Sequence, residues 1–265
     1  MTYPSLQPFA RDPRSAGIFL DFDGTLSAIV ETPDEARPAT GAPEVLRFLA
    51  ERFAVVAVVS GRPASQLLEW LGPEVEIWGL HGAERVSAGE VKLSEDAASY
   101  AATMREVLNE ARAAAANGPE GVLVEDKGVV VGLHYRKARD RKEAERWLLE
   151  LAGNLSVAHD LRVAPGRLVL ELRPPVEFSK KAVVLRRTRE AGLRAVAFAG
   201  DDLVDLPGFD ALDELSEAGL ETLRIAVGSE EAPRELLDRA DIAVDGPSGL
   251  VALMNELVQL AGRGA

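Results

Sequence analysis

Short apolar runs without helical period alternate with amphipathic helical stretches along this chain. Gly17 to Phe22 is such a run, followed at once by Asp23-Gly24-Thr25, which predicts a buried strand ending in a turn. Phe53 to Val59 repeats the form and ends in Ser60-Gly61-Arg62-Pro63, whose proline is placed to open a helix. Arg194 to Ala199 before Gly200-Asp201-Asp202 is a third instance, and Thr222 to Val227 before Gly228 is a fourth. Helical patterns at Ala42 to Arg52, Ala64 to Leu71, Lys180 to Ala191 and Ser248 to Ala261 fall between and after them. Strand, turn and helix in repetition predict an α/β fold, a Rossmann-like parallel sheet with helices on both faces. Ligands bind such sheets beyond the carboxyl ends of the strands, where all of these polar turns fall.

The middle of the chain has a different pattern. Val122 to Glu125 and Val129 to Arg136 predict strands meeting around Lys127-Gly128, and Lys142 to Leu151 predicts a helix. Arg167 to Arg173 alternates apolar and charged residues as a half-exposed strand does, and a long helix at Glu95 to Ala116 precedes the group. Gly82 and Arg173-Pro174-Pro175 bound this stretch, so residues 85–176 are expected to form an inserted α+β domain. The core then comprises residues 1–84 and 177–265.

Composition narrows the function classes. At 265 residues with 47% hydrophobic and 28% charged side chains, the chain has material for a packed core with a smaller companion. A net charge of −13 repels nucleic acid and anionic membrane surfaces, so any phosphorylated ligand must be caught by local groups. The absence of cysteine removes disulfides, thiolate catalysis and sulfur-ligated metals, and suits a reducing cytoplasm. The stretch from Met1 to Arg14 has no apolar run of the kind a secretory signal or membrane anchor carries, and no segment is long enough to span a bilayer.

Asp21-Phe22-Asp23-Gly24-Thr25-Leu26 places two carboxylates two positions apart at the tip of a strand, so both point the same way. Two like charges buried together need a shared cation or a retained proton, and both serve phosphate chemistry. A carboxylate can attack phosphorus, and a second carboxyl can protonate the departing oxygen and then activate water. Asp21 is expected in the first role and Asp23 in the second. Gly200-Asp201-Asp202, with Asp205 one helical turn on, brings more acid to the same sheet edge. Asp201 beside Asp21, with the main-chain carbonyl of Asp23, makes a set of hard oxygens of the kind magnesium prefers. Ser60, Gly61 and Arg62 offer a hydroxyl, an unobstructed N–H and the positive end of the following helix to phosphate oxygens. Lys180, opening a helix, supplies an ammonium that can neutralise nucleophile and transferring group. Taken singly, each later motif can equally be a helix cap, a turn or an exposed lysine.

Together, in this order, the four motifs resemble the haloacid dehalogenase-like superfamily of phosphatases over nearly the whole chain. The resemblance implies a magnesium-dependent hydrolase whose inserted domain acts as a cap. Gly79-Leu80-His81-Gly82-Ala83-Glu84, Glu125-Asp126-Lys127-Gly128, Leu133-His134-Tyr135-Arg136 and Glu171-Leu172-Arg173-Pro174 are similar to the trehalose-6-phosphate phosphatase family in particular. By that resemblance Glu125, Lys127 and Glu171 would contact the glucose ring remote from phosphate. His81, Gly82, Arg136 and Arg167 would complete the substrate-binding set, and Asp202 and Asp205 would be supporting residues beside Asp201. The chain departs from the family at Lys181, where glycine is usual, and at Val204-Asp205-Leu206, where Thr-Asp-Glu is usual. Expected is a cytoplasmic monomer acting on a small sugar phosphate, without nucleic-acid or membrane partners. Sucrose 6-phosphate, a mannosyl phosphoglycerate or a hexose phosphate would fit the same chemistry. A receiver-type signalling module also accepts phosphate on aspartate, but needs neither a second domain nor an acid two positions later. A silent relative would be expected to lack Asp21, Asp23 or Lys180, and all three are present.

Overall fold

The computed structural model describes residues 3–30, 35–87, 89–166, 168–176, 178–228 and 232–262. Two compact units emerge, one of Met1–Lys92 with Phe178–Ala265 and one of Leu93–Glu177. In chain order the first begins with α1 (Gln7–Arg11), β1 (Ala16–Leu20), α2 (Ala42–Ala50), β2 (Val55–Val59), α3 (Ala64–Leu71), β3 (Glu76–Gly79), β4 (Glu84–Ser87) and β5 (Glu90–Leu93). The second holds α4 (Glu95–Ala115), β6 (Leu123–Asp126), β7 (Val131–His134), α5 (Arg141–His159), β8 (Arg162–Gly166) and β9 (Val169–Arg173). The chain then completes the first unit with α6 (Lys180–Ala191), β10 (Ala195–Gly200), α7 (Leu206–Glu217), β11 (Glu221–Gly228), α8 (Arg234–Arg239), β12 (Ile242–Asp245) and α9 (Gly246–Gly262).

The eight strands of the first unit run in the order β12-β11-β10-β1-β2-β3-β4-β5. Pairing is parallel from β12 through β3 and antiparallel between β3 and β4. The expected parallel sheet is present, with an added antiparallel edge. That edge carries the sheet past residue 85, because Trp78 and Gly79 pair with Arg85 and Glu84. Strands β1, β2 and β10 are buried along their whole length, which is why their sequences read as unbroken apolar runs. Successive side chains go to opposite faces: Ile18 and Leu20 join a core with α2, α3 and α9, while Phe19 joins one with α6, α7 and α8. Register sets Leu20 between Ala199 of β10 and Val58 of β2, so the three strands end nearly level. From β1 the chain moves to β2 on one side, and β10 flanks it on the other, the reversal point at which such sheets open a crevice.

The second unit is an antiparallel sheet in the order β6-β7-β9-β8 with α4 and α5 packed on it. Leu133, Leu170 and Leu172 are buried together with Met104 and Val107 of α4 and Leu148 and Ala152 of α5. The alternate residues Glu171 and Arg173 stay partly exposed, as the period of two requires. Among the described residues no helix is long and apolar enough to cross a membrane.

Candidate active site

Asp21 follows the last residue of β1, and its N–H donates to the Ala199 carbonyl at 2.9 Å, extending the β1–β10 ladder by one step. The chain then turns on the Phe22 carbonyl, which accepts from the N–H groups of Leu26 at 2.8 Å and Ser27 at 2.9 Å. Gly24 sits at φ +82° with the Asp201 carboxylate against it, so an added Cβ would collide there. Thr25 Oγ1 donates to Asp201 Oδ1 at 2.9 Å, tying the first motif to the end of β10. On the other side of Asp201, the Asp205 carboxylate lies against Gly200, and Asp205 Oδ2 accepts from the N–H groups of Asp201 at 2.9 Å and Asp202 at 3.1 Å. Lys180, at the start of α6, donates from Nζ to Asp21 Oδ1 at 2.6 Å and to Asp205 Oδ1. Ser179 caps that helix by accepting from Ala182 N–H, which fixes where the lysine emerges. Asp202 is exposed and caps the turn at Leu203–Asp205 instead of joining the cluster.

Asp21, Asp201 and Asp205 are all buried, with carboxylate oxygens within 4.8 Å of one another, and Lys180 is the ammonium that Asp21 and Asp205 share. Burial pushes the Asp21 carboxyl up to about 7; Lys180 pulls against it and Asp205 adds to it. Burial and the Asp205 charge likewise push Asp201 up to about 7. For Lys180 burial favours the neutral amine, but Asp21 and Asp205 outweigh it and hold the pKa above the ordinary lysine value. Asp205 engages both oxygens with Lys180 and backbone N–H groups, whereas Asp21 and Asp201 hold the lysine and the threonine through Oδ1. Three clustered acids against one base is a surplus of negative charge that a divalent ion would relieve. The all-oxygen donor set suits a hard cation.

Ser60 follows β2, and its Oγ accepts from Arg62 N–H at 3.2 Å while its carbonyl accepts from His81 N–H at 2.8 Å. An added Cβ at Gly61 would lie 2.9 Å from His81 Nε2, so the imidazole would have to shift. Leu80 and His81 hold positive φ, at 48° and 59°, a costly backbone for residues with side chains. His81 and Gly82 therefore lie beside Ser60 in the first unit. The guanidinium of Arg62 lies on Asp23: Nε is 2.8 Å from Oδ2 and Nη2 is 2.7 Å from Oδ1. The helix end expected to face phosphate carries a different anion, since Glu84 Oε2 accepts from Ala64 N–H at 2.8 Å.

In the second unit Glu125, Gly132 and Glu171 form one cross-strand row. Lys127 Nζ bridges the two acids, 3.0 Å from Glu171 Oε1 and 3.5 Å from Glu125 Oε2. His134 Nε2 lies 2.7 Å from Glu125 Oε2, and Arg173 Nε donates to Glu171 Oε2 at 2.9 Å. Burial raises the Glu171 pKa, yet hydrogen bonds from Arg173 and Lys127 outweigh it and hold the carboxyl below the usual glutamate value. Arg136 stands beyond β7 in a turn, where its carbonyl accepts from Arg141 Nε at 3.2 Å. Arg167 lies outside the described residues.

A model of the trehalose-phosphatase family matches residues 19–240. The chain belongs to that family. It is 39% identical to the trehalose-phosphate phosphatase of Mycolicibacterium paratuberculosis over 210 residues, 75% of this chain and 52% of that protein. The chain spans about half the length of the curated relatives it matches. The trehalose-6-phosphate phosphatase of Aspergillus fumigatus shares its fold at a TM-score of 0.67 and 23% identity, covering 98% of each chain. A haloacid dehalogenase-like hydrolase from Bacteroides thetaiotaomicron does so at 0.60 and 14%, covering 91% of this chain and 98% of the other. The fold is haloacid dehalogenase-like.

The side chains that depart from trehalose-phosphatase usage, Lys181, Val204 and Leu206, are not members of the acidic cluster, although Val204 and Leu206 flank Asp205. Lys181 pairs with Glu214 of α7 at 2.5 Å, and Leu206 packs against the apolar core on that face. Sequence reasoning gave no role to Thr25, whose bond to Asp201 only the fold reveals. It also passed over His134, although its spacing of two from Gly132 puts it on the Glu125 face.

Proposed function

We propose that this member of the trehalose-phosphatase family hydrolyses trehalose 6-phosphate to trehalose and phosphate, a step of trehalose biosynthesis. The observation that carries the proposal is the buried group of Asp21, Asp201 and Asp205 around Lys180 at the switch point of a haloacid dehalogenase-like sheet. Asp21 attacks phosphorus through a carboxylate oxygen, and the bond from phosphorus to the sugar oxygen breaks. Asp23 gives its proton to that leaving oxygen, then takes one from the water that attacks phosphorus in the aspartyl-phosphate and frees Asp21. Lys180 keeps Asp21 oriented and offsets charge that gathers on the phosphoryl oxygens. Ser60 and Gly61 provide hydroxyl and N–H donors to those oxygens, while the guanidinium of Arg62, the third member of that motif, lies on Asp23. Asp21, Asp201 and the Asp23 carbonyl would hold magnesium, which supplies charge neutralisation to the phosphoryl group.

The second unit, read as an inserted cap, contributes Glu125, Lys127 and Glu171 to recognition of the sugar, with His81, Gly82, Arg136 and Arg167 as further contacts. Their paired acceptors and donors match the alternating hydroxyls of a disaccharide. The proposal is tested by phosphate release from a panel of sugar phosphates with magnesium present. Trehalose 6-phosphate should exceed glucose 6-phosphate in kcat/KM by about a hundredfold, within the range that a few well-paired hydrogen bonds give. Equal rates would remove the disaccharide.

A further inference from the structure

Among the described residues, the grip of Arg62 on Asp23 is a strong ion pair in the motif loops of the first unit. Nε reaches both carboxylate oxygens, at 3.0 and 2.8 Å, and Nη2 reaches Oδ1 at 2.7 Å. Nη1 is engaged as well, donating to Gln66 Oε1 at 3.1 Å one turn along α3. The plane of the guanidinium is also set, because its carbon lies 5.6 Å from the Phe22 ring and 5.3 Å from the Trp70 ring. Those two rings stack on one another at 5.2 Å. The Arg62 side chain is only 10% exposed, whereas that of Asp23 is 45% exposed. A half-exposed aspartate on a turn has several staggered rotamers open to it. A two-point fork from a stacked arginine selects one, which a single ammonium does not.

We propose that Arg62 is a positioning residue: its fork, fixed by Phe22, Trp70 and Gln66, holds the Asp23 carboxyl group where it can give its proton to the leaving oxygen, and phosphate is held by other groups. The inference rests on the acid–base role given to Asp23 above. A displacement of order 1 Å in a proton donor costs about a hundredfold in rate. A lost phosphate ligand instead weakens every complex that contains phosphate. The two roles therefore separate in one set of measurements.

The variants are Arg62→Gln, Arg62→Lys and Trp70→Leu, each assayed for kcat on trehalose 6-phosphate. Each is also titrated with inorganic phosphate by calorimetry in the presence of magnesium, an arm that needs no turnover. Arg62→Gln and Arg62→Lys should each lose about ten- to a hundredfold in kcat, with phosphate affinity within about twofold of wild type. Lysine should fail to rescue because it keeps the charge and loses the fork. Trp70→Leu, which leaves both charges in place, should lose several-fold in kcat and nothing in phosphate affinity. Phosphate affinity that falls tenfold or more in Arg62→Gln, or kcat restored to the wild-type value by Arg62→Lys, would overturn the positioning role. A wild-type protein that releases no phosphate from any sugar phosphate would instead defeat the functional reading, and the calorimetric arm would still decide whether Arg62 is a phosphate ligand.

Discussion

Lys180 and Lys127 are both lysines held between two carboxylates, one in each unit, and they do different work. The side chain of Lys180 is 3% exposed between Asp21 and Asp205, while that of Lys127 is 29% exposed between Glu125 and Glu171. In the first unit the counter-charges are buried and outnumber the lysine, so the Asp21 and Asp201 carboxyl groups are pushed towards neutrality. In the second unit Arg173 and His134 join the network, the groups approach charge balance, and Glu171 stays below the usual glutamate pKa. Burial decides the difference: the same residue types hold an uncompensated surplus of charge where water is excluded and a near-balanced network where it is not.

The comparison can be broken in several ways. The largest effect should come from Asp21→Asn, which keeps shape and removes the nucleophile; phosphate release should fall by about 10⁴-fold or more with an unchanged circular dichroism spectrum. Next is stability by denaturant titration. Lys180→Met leaves two buried acids uncompensated and should cost about 3–5 kcal/mol, whereas Lys127→Met should cost less than about 1 kcal/mol. Equal costs would erase the distinction between the two lysines.

Proton linkage gives a third test. Asp21 and Asp201 have folded pKa values of about 7, above the usual aspartate value, so the metal-free folded protein binds more protons than the unfolded chain between about pH 4 and pH 7. Its stability should therefore fall as pH rises through that window. Magnesium needs both groups ionised, so its affinity should rise about ten- to a hundredfold between pH 6 and pH 8, measured by calorimetry. A flat profile would show that the cluster does not hold the ion. The smallest effect belongs to the second unit: Glu171→Gln should raise KM for trehalose 6-phosphate about tenfold and leave kcat nearly unchanged, as loss of a sugar contact remote from phosphate requires.

Much of the first unit was legible because its central strands are buried on both faces and end in chemically distinctive turns. Lys180 and Asp201 could be set at strand and helix ends from pattern alone, and α3 and α6 appear within the predicted bounds. Strand β3 escaped because it is four residues long and opens on a glutamate, and β4 and β5 because an edge hairpin carries too few apolar positions. Helix α5 runs to His159, well past the predicted end at Leu151, because Ala152 and Leu155 carry on the buried stripe of Ala144 and Leu148. Within the site, sequence placed Arg62 near phosphate but could not show that its fork closes on Asp23, a pairing made 39 residues apart. Nor could it show Glu84 at the start of α3, since that contact depends on the antiparallel edge.

The central claim is that the buried acid at the tip of β1 forms the covalent bond to phosphorus. Acid quench during turnover of trehalose 6-phosphate, followed by borohydride reduction and peptide mass spectrometry, tests it directly, because an acyl phosphate is reduced to an alcohol and a free carboxylate is not. The account predicts homoserine at position 21 and at no other aspartate. Reduction at Asp23 or Asp201, or steady phosphate release with position 21 unreduced at every quench time, would contradict it.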